Sequence, residues 1–127
     1  MINQQVLFDS IKDCWSVDTS SDPVDWSIDN PAWGQCAVTS CVVCDFLGGQ
    51  VIWAVAVCPD GREISHYFNL LPDKQTIDLT IEQFPCGTII ENRFRDFKVS
   101  IYDYILSFEK TKFRYEILCD RLKHKNF

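Results

Sequence analysis

An α+β fold, with one buried helix packed on an antiparallel β-meander and a further helix at each end of the chain, follows from three features of the sequence. An apolar run from Cys36 to Leu47 ends on the pair Gly48-Gly49. Three segments rich in Val, Ile, Trp, Tyr and Phe come next, separated by Pro59-Asp60-Gly61 and Pro72-Asp73-Lys74. Apolar residues at helical spacing mark both ends of the chain.

The segment Asn3 to Cys14, with Val6, Leu7, Ile11 and the following Trp15 close to helical spacing, predicts an amphipathic helix laid on the core. Ser16 to Trp33 is rich in Ser, Asp, Asn and Pro and has no period. It is long for a connection in so small a chain, and its two tryptophans point to the wall of a pocket. The buried helix begins just after Pro31 and Gly34, so Cys36 falls in its first turn, and Gly48 and Gly49 suit a left-handed terminus.

Strands are predicted for Gln50 to Cys58, Arg62 to Leu71 and Gln75 to Thr80. Both connections read as three-residue hairpin loops whose last residue, Gly61 or Lys74, takes a left-handed conformation. Such loops set the register: Cys58 pairs with Arg62 and Leu71 with Gln75. His66 then lies opposite Ala54 and Thr80, and Phe68 opposite Asp78, so His66 and Asp78 share a face with Ile52, Ala56, Ile64 and Leu70. Trp53, Val55, Val57, Tyr67, Ile77 and Leu79 point to the other side. The Cys36 helix is expected to cover the His66 face and the terminal helices the opposite one. Thr80 and Gln83 have the spacing of a capping box, which predicts a short helical turn. Cys86 to Ser107 fits more than one element. Thr111 is expected to cap a last helix with Tyr115, Leu118, Cys119 and Leu122 as its apolar stripe.

At 127 residues, 46% hydrophobic and 24% charged, the composition is that of one domain, residues 1–127, able to bury a core without disulfides or a structural metal. It excludes a disordered chain, a collagen-like rod and a coiled coil. Eighteen acids against twelve bases give a net charge of −6, which opposes nucleic-acid binding. The only basic cluster, Arg121, Lys123, His124 and Lys125, reads as a helix C-terminus facing the macrodipole. No apolar stretch reaches the roughly 18 residues of a membrane span, and the N-terminus lacks a signal peptide's pattern. Seven cysteines at irregular spacing fit thiols in the cytoplasm, with export by a dedicated secretion system left open. No nucleotide- or phosphate-binding loop is present, so no organic cofactor is implied.

Chemistry points first to Cys36. At a helix N-terminus a thiolate is favoured by unpaired amides and the positive end of the dipole. The backbone N–H there supplies half of an oxyanion hole, with Gln35 or a donor from the Trp26–Asn30 loop as the other half. A thiol nucleophile needs a base that is itself oriented, and His66 with Asp78 on its face meets that need. Asn69 is the weaker candidate for orienting His66, since it points to the other face unless a bulge intervenes. Trp33, beside the nucleophile, is either a substrate wall or a packing anchor. Cys41 and Cys44 have CxxC spacing but lie among apolar helix residues and read as packing thiols. Zinc would require Cys36, Cys41, Cys44 and His66 to converge, and no metal is assigned. The acids of the Ser16–Trp33 loop lack the alternation and glycine of a calcium loop.

Four stretches, Asn30 to Thr39 (NPAWGQCAVT), Asp45 to Gly49 (DFLGG), His66 to Asn69 (HYFN) and Asp78 to Phe84 (DLTIEQF), resemble in order the YunG-like family of small bacterial proteins. The likeness includes Trp15-Ser16 and Thr111 with Arg114-Tyr115, covers most of the chain, and implies no settled activity. More distantly, His66-Tyr67-Phe68 followed by Asp78-Leu79-Thr80 resembles the H-x-aromatic and D-x-T pattern of transglutaminase-like cysteine enzymes, and the chain order Cys, His, Asp matches papain-like folds. That resemblance implies Cys36 as nucleophile, His66 as base and Asp78 as orienting group. Phe68 stands where Trp is common, Cys41 and Cys44 where small or polar residues are usual, and Lys74 where a turn glycine is usual. The expected function is acyl transfer through a thioester, as in an amide hydrolase, deamidase, peptidase or transglutaminase, on a peptide, a protein side-chain amide or a small amide or ester. The alternative is a non-enzymatic module that uses the Trp26–Trp33 loop to hold a peptide or protein.

Overall fold

The computed structural model describes residues 2–127. Helix α1 (Gln4–Asp13) starts at Asn3, whose side chain accepts from the Val6 N–H at 3.1 Å, one of the donors a helix leaves unpaired. Its inward residues Leu7, Phe8 and Ile11 are buried, while Val6 faces out. Ser16 and Thr19 form a reciprocal capping box around a 3₁₀ turn, Val17–Thr19, a short element inside the long loop. Helix α2 (Cys36–Leu47) is apolar on most sides and ends at Gly48 and Gly49, with φ of 75° and 82°. At Gly49 a Cβ would lie 2.2 Å from the Leu70 carbonyl oxygen, so glycine is needed there for backbone conformation and for space.

The sheet is antiparallel with order β3-β2-β1-β4, from β1 (Gln50–Val57), β2 (Glu63–Leu70), β3 (Thr76–Ile77) and β4 (Ile89–Glu91). The register is the expected one: Ala54 opposes His66 and Leu70 opposes Thr76. Both hairpin loops close as expected, with Gly61 at φ 90° and Lys74 at φ 75°. The third strand is shorter than its residues suggest, because pairing ends at Ile77 and Asp78 leaves the ladder. Of the segment that fitted several elements, residues 89–91 form β4 and Ile101–Leu106 form α3, capped by Ser100.

The layering corrects one expectation. Helix α2 covers the face opposite to His66: Cys41 packs with Val51 and Tyr67, and Asn69 Nδ2 donates to the Ser40 carbonyl at 2.9 Å. Helices α3 and α4 (Glu109–Leu122) pack on that same side, and α1, α2 and α4 share the main cluster around Leu7, Ile11, Val42 and Leu118. The His66 face is covered by loops instead, with Phe84 and Trp33 packed on Ala56, Cys58, Ile64 and Ile90. The physical reason is that α2 carries apolar residues nearly all round, so it fits between the terminal helices and the sheet and not outside them. Helix α4 begins at Glu109 after Phe108, and Thr111 lies within it, accepting from Arg114; the expected Thr111 cap is not the helix start.

Candidate active site

The loop before α2 is held from both sides. Gly34, at φ 74°, accepts from the Ser21 N–H at 2.8 Å, Ser20 Oγ donates to the Trp33 carbonyl at 2.7 Å, and the Trp33 indole donates to Asp22 at 3.0 Å. From the other side comes Gln83, in the 3₁₀ turn Ile81–Gln83 that follows Asp78. Its Oε1 accepts from the Gly34 N–H at 3.1 Å, its Nε2 donates to Thr80 Oγ1 at 3.0 Å, and its carbonyl accepts from Asn30 Nδ2 at 3.0 Å. The turn is therefore held by this side-chain pair, and the expected capping box on Thr80 is not formed. Gln83 ties the loop before Cys36 to the segment that carries Asp78.

Helix α2 has no side-chain cap, and its first backbone bond runs from the Thr39 N–H to the Gln35 carbonyl at 3.0 Å. The amides of Cys36, Ala37 and Val38 precede that bond and have no helical acceptor. His66 is fully buried in β2 and donates through Nε2 to Asp78 Oδ2 at 2.7 Å. The Phe84 ring meets the imidazole edge-on at 5.0 Å and Phe68 stacks at 6.1 Å. Facing a carboxylate, Nε2 carries the proton, which leaves Nδ1 for Cys36. Nδ1 has no fully formed hydrogen bond, nor does Asp78 Oδ1. Burial opposes charge on the ring, but hydrogen bonding and charge from Asp78 and Cys36 outweigh it and raise the His66 pKa from 6.5 to about 9.

Cys36, His66 and Asp78 thus come together. Of the other predicted residues, Asn69 is turned away from His66, and Trp33 takes the packing-anchor alternative. Gln35 is fully buried; its Nε2 donates one N–H to the Ser16 carbonyl at 3.0 Å, and its Oε1 has no hydrogen-bond partner. Asn69, 2% exposed, faces α2 and not His66, because its place in the strand alternates with that of His66 and no bulge intervenes. Trp33 is anchored by Asp22 and packed on the sheet. Burial raises the pKa of Cys41 and Cys44. Among the described residues, no group of three or more His, Cys, Asp or Glu is placed to hold a metal. Gln83 and Phe84 were not anticipated at the site. The Thr80 and Gln83 spacing was visible, but its partner Gly34, 49 residues away, was not.

These features define the class: an α+β protein in which a buried imidazole lies between a helix-start thiol and a carboxylate. Residues 3–126 match the family described as YunG protein, and the chain belongs to that family. No curated protein and no solved structure matches it. Among the described residues, no helix is long and apolar enough to cross a membrane.

Proposed function

We propose that this protein is a cysteine-dependent acyl-transfer enzyme whose helix-on-sheet arrangement is of the papain-like or transglutaminase-like kind. The observation that carries the reading is the fully buried His66, held through Nε2 by Asp78 at 2.7 Å while Nδ1 stays free for Cys36. A proton passing from Cys36 Sγ to Nδ1 gives a thiolate and an imidazolium, and the imidazolium is held by the Asp78 carboxylate at 2.7 Å. The thiolate attacks the carbonyl carbon of an amide or ester. As the C–N or C–O bond breaks, Nδ1–H protonates the leaving group and a thioester remains. Water, or an amine in the transfer variant, then attacks the thioester, passes its proton to Nδ1 and releases the thiolate. The oxyanion falls to backbone amides at the start of α2. Of the two N–H groups of Gln35 Nε2, one donates to the Ser16 carbonyl. Thiol chemistry of this kind, with all seven cysteines free, fits the cytoplasm.

A second reading, a peptide- or protein-binding module, is favoured by the exposure of Val24 (88%) and Ile28 (78%) on the loop that leads to Cys36. Iodoacetamide alkylation across pH, read by intact mass and peptide mapping, separates the two. The enzyme reading requires Cys36 to react selectively near neutral pH, and requires His66→Ala to slow it by about tenfold or more. A Cys36 no faster than an ordinary exposed thiol and indifferent to His66→Ala refutes it. Amide and ester substrate panels follow, with Cys36→Ala as the variant that must abolish turnover.

A further inference from the structure

A cavity of about 760 Å³ opens between Gln50–Ile52 of β1 and the segment 94–100, and none of Cys36, His66 or Asp78 lines it. It arises because β4 pairs with β1 only at Val55, Ala56 and Val57, leaving the earlier half of β1 without a neighbour on that side. The hairpin shows which backbone groups are left open. The Cys58 N–H donates to the Arg62 carbonyl at 2.9 Å, so even-numbered residues of β1 direct their backbone groups toward β2 and odd-numbered ones away from it. Val51 and Trp53 therefore turn their N–H and C=O groups to the open edge. No backbone hydrogen bond outside the sheet ladders reaches them among the described residues.

The charges lining this groove leave one group over. Asp45 accepts from the hydroxyls of Tyr102 and Tyr115, and Asp96 pairs with Lys98 at 2.9 Å. Arg95 has no carboxylate partner among the described residues. Its guanidinium carbon lies 4.6 Å from the Phe97 ring centre, 5.0 Å from that of Tyr104 and 5.6 Å from that of Trp53, and Nη2 donates to the Tyr104 hydroxyl at 2.7 Å. The rings hold a planar, unneutralised cation in place at the open edge.

We propose that this groove binds the C-terminal end of an extended peptide, which adds to β1 at Val51 and Trp53 and sets its terminal carboxylate on Arg95. Backbone pairing at a sheet edge and capture of a carboxylate by an oriented guanidinium are the two interactions the groove offers. Because β4 closes on β1 at Val55, a strand laid on Val51 and Trp53 must end or leave the edge there, a position that suits a terminus. Of the two ends of a peptide, the negatively charged one complements Arg95.

The test is fluorescence polarisation with the wild-type protein and three N-terminally labelled peptides: Ala-Val-Thr-Val-Ala with a free carboxylate, the same peptide as its carboxamide, and a carboxamide with Asp in place of the central Thr. The free acid is expected to bind at least about tenfold more tightly than either carboxamide, the scale of a hydrogen bond to a charged group. Arg95→Gln should remove that difference, and the amide resonances of Val51 and Trp53 should shift with the free acid in 15N-labelled protein. Equal binding of acid and carboxamide, or no binding of the acid at millimolar concentration, overturns the proposal. Binding of the Asp peptide as tightly as the acid overturns the terminal assignment. Shifts confined to residues around Cys36 overturn the location, and the wild-type comparisons stand even if Arg95→Gln does not fold.

Discussion

Replacing Asp78 by Asn tests the site through the proton it holds. In the folded protein the His66 pKa stands at about 9 against an ordinary 6.5, a difference corresponding to about 3 kcal/mol in favour of the charged ring. Burial, the largest single influence on this side chain, works against that charge, so the rise depends on Asp78 and Cys36. Asn keeps the shape and loses the charge, and His66 should then titrate lower by about one pH unit or more. The chain has two histidines, His66 and the exposed His124, so the imidazole Cε1 signals can be followed by NMR across pH with little ambiguity. The same shift sets a stability window. Below about pH 6.5 the folded and unfolded chains both hold the proton and the His66 contribution is whole. As pH rises toward 9 the unfolded chain loses the proton first, and the contribution falls away by about 3 kcal/mol. Buried thiols such as Cys41 weaken the fold further above about pH 9, the unfolded thiol value, but they do so in both proteins. Between about pH 6.5 and 9, where carboxylates in both chains stay ionised, the change with pH in the difference between wild type and Asp78→Asn in urea unfolding therefore reports His66. A wild-type His66 that titrates at or below 6.5, or one that Asp78→Asn leaves unmoved, refutes the reasoning.

Gly49→Ala should cost clearly more in thermal unfolding than Gly61→Ala: both have positive φ, but a Cβ at Gly49 meets the Leu70 carbonyl oxygen at 2.2 Å, whereas at Gly61 nothing lies within 4 Å. The Gly61 change should cost about 1 kcal/mol. Gln83→Ala leaves the Gly34 N–H without its acceptor and should destabilise the protein by roughly 1–3 kcal/mol while slowing Cys36 alkylation, measured on fully folded samples. Asn69→Leu removes the bond to the Ser40 carbonyl and should lower stability by a similar amount, with Cys36 reactivity per folded molecule unchanged; a selective loss of reactivity would return Asn69 to the site.

Local chemistry made much of this molecule readable in advance. The two hairpin loops carry their own turn residues, so the pairing of Ala54 with His66 follows from counting along the chain. Cys36 at a helix start was legible from Pro31, Gly34 and the apolar run. The side of the sheet that α2 takes was not. Alternation tells which residues share a face, but both faces carry apolar residues, and the choice rests on packing among helices distant in sequence. Gln83 escaped for a related reason. A buried glutamine that accepts from Gly34 looks the same in sequence as a glutamine closing a capping box.

The brevity of β3 bears on how this architecture tolerates change. Were the ladder continued to Thr80, Asp78 would be locked opposite Phe68, its carboxylate diagonal to His66 at a spacing of roughly 7–8 Å between backbones. Leaving the sheet after Ile77 frees its backbone to bring the oxygen to 2.7 Å from Nε2. Substitutions that raise strand propensity at 78–80 would extend the sheet while pulling the Asp78 carboxylate away from His66. In this segment a longer sheet and the Asp78–His66 hydrogen bond compete for the same stretch of backbone.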